Sequence, residues 1–470
     1  MNGLLAVILL VLFAGIALLI PTHGASAVLF CAIVALVAVW LISRSEPEHR
    51  TILLQLFMVG LLLRVGVGLT LYTLSLQEFF GGDALTYDGQ GYELLLVWRG
   101  ELRYADLSAK GMSFGFWGMP YFVAAIYAVA GRNMLAVQFV NAVLGAATAP
   151  VIFMCAWHIY GNLRVARISA LSVALFPSLV LWSAQGLKDA PIVFLLAVVM
   201  LATLKLGERL SLEYIVVIAA ALFGLVSLRF YIFYMVAAAA AGAFVIGMRQ
   251  VSARSLARQF VAVAAIGLAL TYLGVLRTAG AQLGNFGNLE TMQRSRLDLS
   301  RAESGFAGDV DISTTSGALS VIPLGLVYLL FAPFPWQVAN LRQSITLPEM
   351  LVWWASFPLL CLGLYFTLRY RVRQALPILL FTALLTMAYS VFQGNVGTAY
   401  RQRAQLLVFY FIFVAVGAVL LKERREDRAR LDVARKESRI QRISAQRYAR
   451  WREGQNRELE KLAEDLSARQ

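Results

Sequence analysis

The chain has 470 residues, 60% of them apolar and 14% charged, with a formal net charge of +14. The apolar residues fall in repeated runs of about twenty, the length that crosses a bilayer, so the composition excludes a soluble globular domain and a disordered chain. An all-α polytopic membrane protein is expected, because only segments that satisfy their own backbone hydrogen bonds can cross hydrocarbon.

In chain order the apolar runs lie at 3–21, 25–42, 52–76, 133–157, 165–184, 190–206, 212–228, 231–248, 259–277, 347–368, 374–392 and 405–421, with weaker candidates at 119–131 and 317–335. The first run has neither a basic flank nor a small-residue cleavage site and reads as a retained helix. Cys31, Cys155 and Cys361 sit inside these runs, where thiols pack as small hydrophobes, so neither a disulfide framework nor a Cys-rich metal site is supported. Basic short loops mark the cytoplasmic side. They hold Arg44, His49 and Arg50; Arg164 and Arg167; Lys205 and Arg209; Arg249, Arg254 and Arg258; and Arg369, Arg371 and Arg373, followed by the tail. All of them face one side if the two weaker segments do not cross. Those segments carry Pro120, or Pro323, Pro333 and Pro335, as suits re-entrant or interfacial helices on the outer face. The expectation is about twelve spans with both termini cytoplasmic: a membrane module over 1–421 and a cytoplasmic basic helical tail over 422–470.

This threading leaves 77–132, the turn 186–189, 278–346 and 393–404 outside, and polar residues concentrate there. The first of these segments holds Asp83, Asp88, Glu93, Glu101 and Asp106, in a chain with only 27 acids. Lys188-Asp189 opens a helix in the second, Arg401 and Arg403 begin the last span, and Arg229 sits at the break between two runs on the same face. Arg64 lies deep in the run 52–76, where an ionisable group turns toward a partner or a cavity. The loop 278–316, rich in charge, Gly and Ser, reads as a mobile cover. The tail carries 15 basic and 10 acidic residues. It reads as a basic amphipathic helix for anionic lipid, or a short coiled coil with a partner helix through Leu459, Leu462 and Leu466, and not as a nucleic-acid binder.

Three features together resemble the GT-C superfamily of integral-membrane glycosyltransferases, particularly the protein O-mannosyltransferases and the lipid A aminoarabinose transferases. They are Asp83 in an acidic first outer loop with Tyr87-Asp88 after it, Pro177-Ser178 followed by Lys188-Asp189, and Gly397-Thr398-Ala399-Tyr400-Arg401-Gln402-Arg403 before the last span. The resemblance covers 52–421 and implies a GT-C-like helix bundle in a bacterial inner membrane. It also implies transfer of a sugar from a polyprenyl-phosphate donor to an acceptor hydroxyl outside the cytoplasm.

Such a transfer needs a base for the acceptor proton and cations for the departing phosphate. Asp83 is expected as the base, with Asp88 and Asp189 as further catalytic acids. Lys188, Arg229, Arg401 and Arg403, with Tyr87 and Arg64, are expected to bind substrate and phosphate, since guanidinium matches phosphate bidentately. Simpler roles stand beside these: Asp83 and Asp189 as helix N-caps, and the arginines as groups snorkelling to headgroups. No Asp-x-Asp pair is present, and His23 is the lone histidine of the outer loops, so a divalent cation is not indicated. A transporter or flippase of lipid-linked glycans, or a polysaccharide polymerase or ligase, is the alternative. The first would show internal repeats and the second a large His-bearing late loop.

Overall fold

The computed structural model describes residues 2–109, 117–246, 253–301, 304–338 and 340–468. It is 87% helical and without strands among those residues, an all-α polytopic membrane protein. The helices run in the order α1 (Asn2–Leu19), α2 (Gly24–Ser45), α3 (Arg50–Thr73), α4 (Gln77–Gly81), α5 (Asp83–Trp98), α6 (Tyr104–Ala109), α7 (Gly118–Ala130), α8 (Met134–Tyr160), α9 (Leu163–Leu175) and α10 (Pro177–Ser183). They continue with α11 (Asp189–Glu208), α12 (Leu212–Leu228), α13 (Phe230–Ile246), α14 (Ala253–Tyr272), α15 (Val275–Phe286), α16 (Leu289–Ser300), α17 (Thr315–Phe331), α18 (Leu341–Tyr370), α19 (Val372–Phe392) and α20 (Val396–Ala468). The chain divides into two units, Met1–Gly417 and Ala418–Gln470, a few residues before the expected boundary.

Among the described residues eight helices are long and apolar enough to cross a membrane, or ten if the bent pairs α9–α10 and α14–α15 each count as one span. The expected twelve included 212–228 and 231–248. Of their helices, α12 has 17 residues, about 25 Å of rise against a hydrocarbon core of about 30 Å, and α13 is described from Phe230 as far as Ile246. The weaker segments are also helical, as α7 and α17. Part of the expected basic loop around Arg249 lies outside the described residues.

The centre of the first unit is α8, apolar on all sides and packed by α2, α3, α9 and α11. Asn133 caps its start by accepting from Ala136 N at 3.2 Å, and Gly161 ends it in the left-handed region at φ 60°. Small residues let its neighbours approach closely. A Cβ on Gly145 would lie 2.4 Å from that of Ser183 in α10, so only glycine fits.

The break between α9 and α10 is dictated by Pro177, which lacks an N–H and holds Phe176 extended at φ −64°, ψ 125°. Breaking the helix leaves its last carbonyls unpaired inside the membrane. Arg64 supplies the donors: Nη2 to Val173 O at 3.2 Å, Nη1 to Ala174 O at 2.9 Å and to Gly60 O at 3.1 Å, and Nε to Ser183 Oγ at 2.7 Å. Arg403 does the same where α17 ends before Pro333, donating to Leu329 O at 2.6 Å and to Ala332 O. Both arginines are about 1% exposed. Each neutralises the negative end of a helix that the membrane could not otherwise solvate.

The segment expected as a mobile cover is tied down. It forms the end of α15, then α16 and a strap in which Phe306 N donates to Gly394 O at 2.8 Å and Val396 N to Ser304 O at 2.9 Å. Glu303 lies outside the described residues. In the second unit, Tyr448 and Trp451 are exposed with ring centroids 5.8 Å apart. The side chains of Ile440, Ile443, Leu459, Leu462 and Leu466 lie outside the described residues.

Removing the Arg64 donors strands several buried carbonyls at about 1–3 kcal/mol each. Arg64→Ala should therefore lower stability by on the order of 3 kcal/mol, read as a lower thermal midpoint in detergent. Arg64→Lys should recover only part of it, because an ammonium cannot span acceptors set so far apart. An unchanged midpoint in Arg64→Ala would mean that the break needs no plug.

Candidate active site

All four segments assigned by sequence to one face contribute to a single cavity of about 950 Å3, with Asp83, Lys188, Ser304 and Arg401 among its lining. Asp83 is the first residue of α5 and Asp189 the first of α11, where the helix dipole favours a carboxylate. Neither acts as a side-chain cap. The N-cap positions belong to Gly82 and Lys188, which make no side-chain cap bond. The turn before Asp189 is fixed from α8, where Asn141 Nδ2 donates to Gln185 O at 2.7 Å and to Leu187 O at 2.8 Å. Arg401 projects from the first turns of α20, whose start Asn395 caps by accepting from Thr398 N at 3.1 Å.

Arg401 joins the two acids. Its Nε and Nη2 lie 2.8 and 2.6 Å from Asp189 Oδ2, and its Nη1 donates to Asp83 Oδ2 at 2.7 Å. The two carboxylates differ in environment: the Asp189 side chain is 2% exposed and that of Asp83 55%. Arg229, held in extended backbone between α12 and α13, brings Nη2 to 3.9 Å from Asp189 Oδ1. Lys188 Nζ stands 5.9 Å from the Tyr87 ring centroid, and Arg401 Cζ 5.8 Å from that of Trp182. Three cations against two carboxylates leave the cluster one positive charge in excess, ready for an anion.

Burial pushes the Lys188 ammonium down to about 8, helped by the neighbouring positive charge of Arg229. Burial, and then the negative fields of Asp83 and Asp189, push the Tyr87 phenol up to about 12. Tyr87 is therefore a neutral hydrogen-bond donor at physiological pH. Asp83 and Asp189 share Arg401, and among the described residues no group of three or more His, Cys, Asp or Glu is placed to hold a metal ion.

The structure thus brings together Asp83, Asp189, Lys188, Arg229, Arg401 and Tyr87. It does not bring Asp88, Arg64 or Arg403 to them. Asp88 accepts from the Tyr127 hydroxyl and from Arg132 Nη2, both at 2.5 Å, and so ties α5 to α7 and the loop after it. Arg64 and Arg403 spend their donors on helix ends. Two lining residues were missed in the sequence. Trp182 carried no signal beyond its type, but Glu349 did: it is the lone acid in the apolar run 347–368, a position that is costly to charge.

Residues 117–274 match the sequence model of the dolichyl-phosphate-mannose-protein mannosyltransferase family. The match covers a third of the chain and is to a family of the GT-C superfamily. With the apolar helices, the match indicates a membrane glycosyltransferase. No curated protein matches the chain. The matched region contains Lys188, Asp189 and Arg229, while Asp83 and Arg401, which complete the cluster, come from either side of it.

A lysine whose folded pKa falls from 10.5 to about 8 burdens the fold wherever the unfolded chain keeps the proton. That burden is full below about 8 and gone by about 10.5. Wild type should gain stability relative to Lys188→Met as pH rises through this window. The check is the difference between their thermal midpoints at several pH values, and a difference independent of pH would contradict the assignment.

Proposed function

We propose that this glycosyltransferase moves a sugar from a polyprenyl-phosphate carrier to an acceptor hydroxyl on the extracytoplasmic face of a bacterial inner membrane. The observation that carries this reading is Arg401, held by one buried and one exposed carboxylate in a cavity also lined by Lys188, Arg229 and Arg342. Apolar side chains of Leu63, Val67, Leu175, Val180 and Leu181 line the same cavity. An amphipathic ligand with a greasy chain and an anionic head matches that lining.

A polyprenyl-phosphate sugar is a phosphodiester with one negative charge. As the acceptor oxygen bonds to the sugar C1, the bond from C1 to the phosphate oxygen breaks and its electron pair leaves with the phosphate. Arg401, Arg229 and Lys188 meet the charge that grows there. The acceptor proton goes to Asp83, the carboxylate an incoming hydroxyl can reach. Asp189, shut away from solvent, orients Arg401 and does not exchange protons with substrate.

Asp83→Asn keeps the size of the side chain and an acceptor for Arg401 while removing the basic oxygen. Turnover should fall by roughly 100- to 10,000-fold with binding of polyprenyl phosphate retained. Activity within a few-fold of wild type would remove Asp83 from the base position. The sidedness is tested separately, in a chain otherwise freed of cysteine. Ser316→Cys should react with an impermeant maleimide from outside, and Arg373→Cys only after permeabilisation; the reverse pattern would turn the site toward the cytoplasm.

A further inference from the structure

We propose that Glu349, with Ser178, Trp182 and Tyr400, forms the pocket for the sugar ring of the donor, the Glu349 carboxylate accepting hydrogen bonds from sugar hydroxyls. The inference rests on the polyprenyl-phosphate reading above and assigns the part of the cavity that reads the sugar.

Glu349 lies within α18 and is 7% exposed. Its Oε2 accepts from Ser178 N at 2.7 Å, at the start of α10. Capping a helix start explains an acceptor but not a charge, since a neutral side chain would serve as well. Among the described residues Glu349 forms no ion pair; the nearby Arg403 lends it a positive field but directs hydrogen bonds to Leu329 O, Ala332 O and Met350 Sδ. A carboxylate buried inside an apolar span, with its nearest guanidinium bonded elsewhere, is costly to place there. Recognition of a ligand rich in hydroxyl donors is a use that offsets the cost, because an ionised carboxylate only accepts and its hydrogen bonds are charge-assisted.

Placement favours the sugar over the rest of the donor. Glu349, Ser178, Trp182 and Tyr400 line the same cavity as Asp83 and Arg401. The Trp182 ring bridges the two groups, 5.8 Å from Arg401 Cζ on one side and 6.3 Å from the Tyr400 ring centroid on the other. With the phosphate on Arg401, the sugar begins one bond away and its ring extends over the indole toward Glu349, while C1 stays beside Asp83. Trp182 Nε1 is buried and makes no hydrogen bond among the described residues, so an N–H is also present for a ring or hydroxyl oxygen. The wall therefore combines an apolar face for the C–H face of a sugar with polar atoms for its edge.

The experiment compares equilibrium binding of two probes, polyprenyl phosphate and polyprenyl-phosphate mannose, to the full chain in detergent. Glu349→Gln keeps an oxygen for Ser178 N, so the thermal midpoint should hold. Its affinity for the mannosylated probe should fall roughly 10-fold or more, with that for polyprenyl phosphate unchanged. Trp182→Phe keeps a ring, removes the N–H, and should show the same split to a smaller degree. Equal losses for both probes, or none for either, would reduce Glu349 to a helix cap and overturn the pocket. If wild type binds neither probe, the carrier reading itself fails; if wild type binds polyprenyl phosphate and Glu349→Gln shows no split, only the pocket fails.

Discussion

The site depends on one guanidinium bonded to two carboxylates of unequal exposure. Asp189 alone would be an unpaired charge shut away from water, and Arg401 alone an unpaired cation at the wall of an apolar cavity. Each is tolerable because of the other. Asp83 completes the arrangement from the solvent side and is the part that can change partners without exposing a buried charge. Arg229 and Lys188 add positive charge around this pair, so the cluster is stable when empty and still short of one anion.

The cavity beside that cluster exists because helices stop inside the membrane, and they can stop because buried arginines accept the consequences. Pro177 and Pro333 end α9 and α17, while Arg64 and Arg403 take up the freed carbonyls. Glu349 answers the opposite end of the first break, at the start of α10. The charges that read as a functional set in the sequence thus divide into two populations, one serving backbone left open by proline and one facing the cavity.

That division marks how far the sequence could be read. Helices, membrane residence and the shared face of Asp83, Lys188, Arg229 and Arg401 follow from hydropathy and the bias of basic loops, because both report on transfer from water to lipid. Arg64 and Arg403 could not be sorted from Arg401 by composition, since a guanidinium binds a backbone carbonyl and a phosphate through the same donors. Asp88 followed Asp83 in sequence but lies more than a helical turn further along α5, where Tyr127 and Arg132 meet it. The number of spans is not fixed by the helices, since α12 is a short apolar helix of 17 residues and α13 is described only as far as Ile246. Glu349 was readable in principle, as a single acid in an apolar run.

Arg401 and Arg403 stand two residues apart on one helix, and about 100° of turn per residue sends them to opposite tasks, one to the carboxylates and one to the end of α17. Their separation acts as a ruler. A residue inserted or deleted between Asn395 and Arg401 would rotate both arginines relative to the cap at Asn395, and one between Arg401 and Arg403 would pull their two tasks out of register. Length in this stretch is thereby held more tightly than identity, and insertions would be accommodated only outside it.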